Sequence, residues 1–327
     1  MKNSCAVRLR YCNELGYFGS DGELAVVSRR EFLRRIGMTA AGVAFAGQPA
    51  VPASANPLGM PIGFQGYDAR FLLIKDWDQG WATMRNIGFQ SVDLVSFKGY
   101  GYEKSPLADM PAKQIRQKLD SIGMLCDNCQ YYYAELHQSF EEKMAFSHEL
   151  RLKNIICAPD PTRMKTTDDW KWQAAQLNEL GARVKQAGFR LGYHNHDQEF
   201  MAIDGVIPYD LLMEGTDPKL VSFQIDVGNL TFAGADALGY LHKYPTRYFS
   251  MHAKDYLPGK TSVPVGQGVL KWKEIFKAAK KTPIENYYAE VAAYGAGTLH
   301  GVPANAWPTD SIDQLRQSYV YLHGLRV

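Results

Sequence analysis

From Met60 onward, short apolar runs alternate with longer segments whose apolar residues recur at helical spacing. The short runs cover 61–65, 91–95, 124–130, 154–158, 190–195, 221–227, 248–253 and 287–291, and each predicts a strand. Between them the 3.6-residue period predicts helices over 78–87, 112–122, 140–150 and 169–187. Gly88, Gly123 and Gly188 fall where three of these helices must stop before the next strand. Glycine suits that place, because it enters the left-handed conformation of a helix C-terminus at little steric cost.

Strand followed by helix, repeated eight times over about 270 residues, predicts one α/β domain, a (β/α)8 barrel with a parallel sheet. A doubly wound open sheet is the alternative, but no GxGxxG follows the first strand. The barrel carries a corollary: functional groups of this architecture stand at the C-terminal ends of strands and in the loops beyond.

The N-terminal sixth reads differently. Ser28-Arg29-Arg30-Glu31-Phe32-Leu33 is a twin-arginine export motif, backed by Arg34 and Arg35 and by a mildly apolar stretch, 36–47. That stretch is too short and glycine-rich to span a bilayer. Ala53-Ser54-Ala55 offers the small-x-small pattern of signal cleavage. Residues 1–55 are therefore expected to be a signal with a long lead-in, and 56–327 the barrel. The expected location is the periplasm, with the twin-arginine translocon as a transient partner and no stable membrane insertion. That route carries folded proteins, which favours a cofactor bound before export.

Residues 1–55 hold seven Lys/Arg and four Asp/Glu, leaving 29 basic and 30 acidic residues in the remainder. So balanced a surface gives no reason to expect nucleic acid. Cys126, Cys129 and Cys157 remain of the five cysteines, an odd number that argues against a disulfide framework. Cys126-Asp127-Asn128-Cys129 is a lone CxxC without the second pair of a zinc ribbon; a structural role is expected, with oxidation open to it in the periplasm.

Four successive strands close on residues that can carry chemistry. The fifth runs into His194-Asn195-His196, and alternation along a strand puts both imidazoles on one face. The sixth reaches Asp226 just before Gly228-Asn229, where an aspartate ligates or caps the next helix. The seventh ends in His252-Ala253-Lys254-Asp255 and the eighth in Glu290. Imidazole and carboxylate donors together suit Mn²⁺, Zn²⁺, Co²⁺ or Fe²⁺. Lys254, two residues after His252, shares its face, and there it neutralises a developing enolate or pairs with Glu290 or Asp226. Aromatic residues near strand ends, Tyr131–Tyr133, Phe97, Tyr100, Tyr102, Tyr294 and Trp307, are core packing or a stacking surface for sugar C–H faces.

In order along the chain, His194-Asn195-His196-Asp197-Gln198-Glu199-Phe200, Asp226-Val227-Gly228-Asn229, Ala233-Gly234-Ala235-Asp236, His252-Ala253-Lys254-Asp255, Val265-Gly266-Gln267-Gly268 and Glu290 resemble the sugar phosphate isomerase/epimerase family, with its xylose isomerase-like TIM barrel. The resemblance implies a divalent metal held by Asp226, His252 and Glu290. It also implies a fourth ligand from strand five, a glutamate in the ketose 3-epimerases. Here that strand offers His194 and His196, with Glu199 further on. The epimerase mechanism uses two opposed metal-bound carboxylates, so a histidine on one side suits elimination, hydration or isomerisation better. Asp93 stands where many relatives have Glu, a place that supports the metal or binds a substrate hydroxyl.

The expectation is an exported, metal-dependent isomerase or epimerase-like enzyme that abstracts a proton next to a carbonyl of a sugar, keto-sugar or glycoside. Glu290, His196 and Lys254 are the candidate catalytic residues; Asp93, Glu199, Asn229 and Lys254 are the candidate substrate-binding residues. Two alternatives stand beside it: a lyase or hydratase on 3-keto-glycosides or inososes, and a carbohydrate-binding barrel without catalysis. A multi-zinc endonuclease site needs more His and Glu ligands than these strand ends offer. A homo-oligomer is compatible with the sequence.

Overall fold

All eight predicted strands form in the computed structural model, as Ile62–Gln65, Ser91–Val95, Leu125–Tyr132, Asn154–Ala158, Arg190–His194, Val221–Asp226, Tyr248–Ala253 and Asn286–Ala289. Numbered one to eight, they pair in parallel with their sequence neighbours, and strand eight closes on strand one to complete a barrel. The structure describes residues 56–158, 163–258, 262–291 and 311–327, and the backbone of two further strands. Those two, Glu14–Phe18 and Leu24–Ser28, pair antiparallel within a separate unit, Met1–Val51. The arginine pair, the stretch 36–47, the cleavage pattern at 53–55, Tyr294 and Trp307 lie outside the described residues.

The helices Trp77–Ile87, Ala112–Ser121, Phe140–Glu149 and Thr167–Gln186 match the predicted ones to within two residues at every end. Local chemistry sets their starts. The Asp76 carboxylate accepts the Gln79 N–H, and Thr166 and Asp169 form a reciprocal capping box. Gly88, Gly123 and Gly188 adopt φ of 121°, 63° and 87°, as their places at helix ends require.

Alternation along each strand divides the barrel wall. Outward side chains make the apolar layer beneath the helices: Phe64 meets Trp81 and Phe89, Tyr193 meets Phe223, and Tyr287 meets Phe276. Each such buried side chain contributes roughly 1.5–3 kcal/mol. Inward side chains near the C-terminal end are polar instead, among them Asp93, Gln130, His194, Gln224 and His252, all buried. The fold's stability therefore rests on the outer layer, and the interior is left for chemistry. No helix among the described residues is long and apolar enough to cross a membrane.

The CxxC pair lies inside strand three, and its two cysteines, three positions apart, take opposite faces. Cys126, Cys129 and Cys157 are all buried free thiols, as suits the structural role expected of them, and the CxxC pair is not oxidised. Burial pushes the Cys126 thiol up to about 12, so it stays protonated and unreactive.

Glu199 belongs to the same outer layer. Its Oε1 accepts the Tyr193 hydroxyl at 3.0 Å and the His196 N–H at 3.1 Å, bracing the turn after strand five. Burial raises its pKa from 4.5 to about 7. A carboxyl with a folded pKa above its unfolded one favours the fold fully below pH 4.5 and loses that contribution as pH rises towards 7. Glu199→Gln is therefore expected to flatten the fall in stability between pH 5 and pH 8 by on the order of 2 kcal/mol. Chemical denaturation at the two pH values checks this, and an unchanged pH slope refutes it.

Candidate metal centre and active site

The ends of strands five to eight bring His194, Asp226, His252 and Glu290 together, with one donor atom from each lying within 4.8 Å of all the others. All four are buried. Neighbouring strands supply them, so the parallel register itself sets their spacing: Asp226 pairs with His252 across strands six and seven.

Each donor is oriented from behind. Asp93 in strand two accepts three hydrogen bonds on Oδ2, from Gln130 Nε2 at 3.0 Å, Gln224 Nε2 at 2.9 Å and His252 Nε2 at 2.7 Å. A carboxylate only accepts, so the Gln224 amide must turn its nitrogen to Asp93 and its oxygen towards His194 Nδ1, 3.0 Å away. His194 then carries its proton on Nδ1, and Nε2 keeps the lone pair. The same reasoning puts a proton on His252 Nε2 and leaves Nδ1 for a cation. Gln224 also donates to Ser250 Oγ at 3.0 Å, so this buried network spans strands two, three, five, six and seven.

Asp226 divides its two oxygens between two tasks. Oδ1 accepts the N–H groups of Gly228 and Asn229, each at 2.8 Å, and caps the short helix Val227–Phe232. Oδ2 is buried with no hydrogen-bond partner, the state expected of an oxygen that waits for a ligand. Asn195 ties the strand to its neighbour, donating to the Asp226 carbonyl at 3.1 Å and accepting its N–H at 2.9 Å. Gly228 admits the tight approach, since a Cβ there would stand 2.5 Å from the Lys254 carbonyl oxygen.

The charges are strongly coupled. Burial alone would lower the His252 pKa, but its bonds to Asp93 and to Glu290 Oε2, 2.5 Å from Nδ1, outweigh it and raise the value to about 10. Burial would likewise raise Glu290, yet Lys254 and His252 hold its carboxyl well below the usual range. Burial, then the adjoining His252 and His196, push His194 well down and keep it neutral. Asp226 rises to about 7 through burial and the Glu290 charge. A divalent cation held by His194, Asp226, His252 and Glu290 would remove the need for the second His252 proton and would give the unpartnered Asp226 oxygen a partner. Two neutral imidazoles and two carboxylates, braced by Asp93 and Gln224, thus fit such an ion.

The other expected site residues take distinct places. Lys254 is buried and donates to Glu290 Oε1 at 3.0 Å, the pairing weighed from sequence. His196 lies past the strand end, its ring 5.1 Å from that of His194 and outside the four-donor group. Asn229 positions Asp226 through its N–H and donates its side chain to the Asn195 carbonyl at 3.3 Å. Glu199 braces the turn behind strand five. Asp93 supports His252. Of the aromatic residues, Tyr102 and Tyr131 are core, whereas Tyr100 and Tyr132 stack at 4.1 Å, with Tyr67 edge-on to Tyr100. Tyr67 and Tyr132 follow the inward Gln65 and Gln130 by two positions, at the mouth of strands one and three.

Sequence reasoning passed over Gln130, Gln224 and Ser250. Gln224 and Ser250 stand two residues before Asp226 and His252, so the strand period carried the signal for both.

Comparison with known proteins follows the geometry. An inosose dehydratase of Clostridium perfringens is 29% identical over 188 residues, 47% of this chain and 62% of that enzyme. The chain thus spans about three fifths of that relative's length. A sugar phosphate isomerase/epimerase structure from Parabacteroides distasonis superposes with a TM-score of 0.66 at 21% identity, over 81% of this chain and 96% of the other. An IOLI protein with a bound zinc atom superposes with a TM-score of 0.60 at 11% identity, over 81% and 98%. At those identities the two structures establish the fold alone. A family model described as a xylose isomerase-like TIM barrel matches residues 81–318, and the chain belongs to that family.

Proposed function

We propose that this chain is a divalent-metal-dependent lyase that removes water from a cyclic keto-polyol of the inosose class. The observation that carries it is the pair Glu290 and Lys254, an anion and a cation buried 3.0 Å apart beside the metal-binding residues. A histidine replaces the strand-five carboxylate, which removes the second of the two opposed carboxylates that epimerisation uses. The inosose dehydratase relative supports the same direction.

Elimination needs a base at the carbon next to the carbonyl and an acid at the departing hydroxyl. Glu290 Oε1 accepts the α-proton; the electron pair forms the new C=C bond and expels the β-hydroxyl. Lys254 Nζ gives that hydroxyl its proton, and it leaves as water. The products are an enone and water, and the proton on Glu290 then passes to Lys254 across their hydrogen bond, restoring both. A cation held by His194, Asp226, His252 and Glu290 supplies a Lewis acid for the carbonyl oxygen.

A second reading rests on His196, which burial, then the Lys254 charge, lowers to about 4, so it is a neutral base at neutral pH. A base on that side would return a proton to the opposite face and give an isomerase or epimerase. We also propose export: Arg29→Lys with Arg30→Lys is expected to leave the protein in the cytoplasm on fractionation, and unchanged export refutes the assignment.

Metal analysis of the purified protein should find about one divalent ion per chain. Asp93→Asn is expected to weaken metal affinity roughly 10- to 100-fold by releasing His252; unaltered affinity refutes the bracing role. With an inosose in heavy water, the metal-loaded protein should release water and form an enone, whereas exchange without water loss would favour the isomerase. Lys254→Met should lower kcat by about 10²–10⁴ while metal content holds. Full turnover in that variant, or neither reaction with any keto-polyol, overturns the mechanism.

A further inference from the structure

The barrel closes by pairing strand eight with strand one, which places the turn after strand one beside Glu290 and Val291. Asp68 stands in that turn. Its backbone N–H donates to Gln65 at 3.1 Å, and its carbonyl accepts Ser311 Oγ at 3.3 Å. Its Oδ2 accepts the Val291 N–H at 2.8 Å, so the carboxylate is held rigidly next to the residue that follows Glu290. Oδ1 is buried with no hydrogen-bond partner, and the residue as a whole is 4% exposed. A buried carboxylate oxygen left unpaired is costly, and a ligand that completes it is one explanation for its retention.

We propose that Asp68 is a substrate-binding residue whose Oδ1 accepts a hydrogen bond from a hydroxyl of the bound keto-polyol, on the Lys254 and Glu290 side of the barrel mouth. This rests on the function proposed above and adds to it a specific contact. Asp68 lies outside the four-donor metal group. Burial first, and then the charge of Glu290, raise its pKa to about 7, while Lys254 opposes them, so the three groups share one region of the site. A carboxylate oxygen only accepts, so the group that completes Oδ1 is a donor, as a polyol hydroxyl is. Asp68 also follows Tyr67, whose ring stands edge-on to Tyr100.

The test uses the metal-loaded full chain and an inosose, with its monodeoxy analogues, and measures Kd by calorimetry, KM and kcat by turnover, and metal content. Asp68→Ala should raise Kd and KM about 10- to 100-fold, with kcat within about threefold of wild type and metal content unchanged. The deoxy analogue that lacks the hydroxyl facing Asp68 should bind wild type and Asp68→Ala alike. Asp68→Asn keeps an oxygen for the Val291 N–H but loses the charge, so it should fold normally and show a smaller rise; it decides the matter if the alanine variant unfolds. Wild-type Kd and KM in a folded, metal-loaded variant overturn the inference, as does a loss of kcat with Kd intact. A wild-type protein that binds no inosose overturns the parent reading and this contact with it.

Discussion

Asp93 Oδ2, with its three donors, is the point from which the site is organised. A carboxylate in the middle of a barrel is costly unless it is hydrogen-bonded, and the three bonds made on Oδ2 settle the orientation of the groups that donate them. The Gln224 amide can turn only one way, and that turn decides which nitrogen of His194 keeps its lone pair. The bond to His252 Nε2 decides the same for the second imidazole. Neither histidine chooses its own tautomer. The buried network sets the tautomer of His194 before any ion arrives, and sets which nitrogen His252 would offer on giving up its second proton.

The four donors then come from groups that also hold the barrel's rim. Asp226 is a helix cap through one oxygen and a free donor through the other. Asn195 and Asn229 stitch strands five and six together around it. Because these bonds are part of the fold, they hold Asp226 at the place where strand ends converge. The apolar outer layer supplies the stability that lets the interior remain polar.

Charge links that frame to the proposed chemistry. Glu290 sits between Lys254 and His252, which hold its carboxyl ionised in a buried place where it would otherwise be neutral. An ionised base and a charged acid within one hydrogen bond of each other are suited to moving a proton off carbon and another onto oxygen. Asp68 extends the same region by one unpaired oxygen. The strand-five histidine matters for what it omits, since a glutamate there would add the opposed carboxylate of an epimerase.

Much of this was legible along the chain because its physics is periodic. The alternation of apolar strands with amphipathic helices, and glycines at 88, 123 and 188, determine eight β/α units with strand ends at His194, Asp226, His252 and Glu290. Burial favours that pattern locally, residue by residue. What a residue meets across the barrel is decided only when the sheet closes. Closure sets Asp93 against His252, 159 positions away, and Asp68 against Val291, 223 positions away. It sends Glu199 behind strand five rather than into the mouth, and leaves His196 beside the four donors instead of among them. Strand period tells which side a residue faces; only the shared register of eight strands tells which others it finds there.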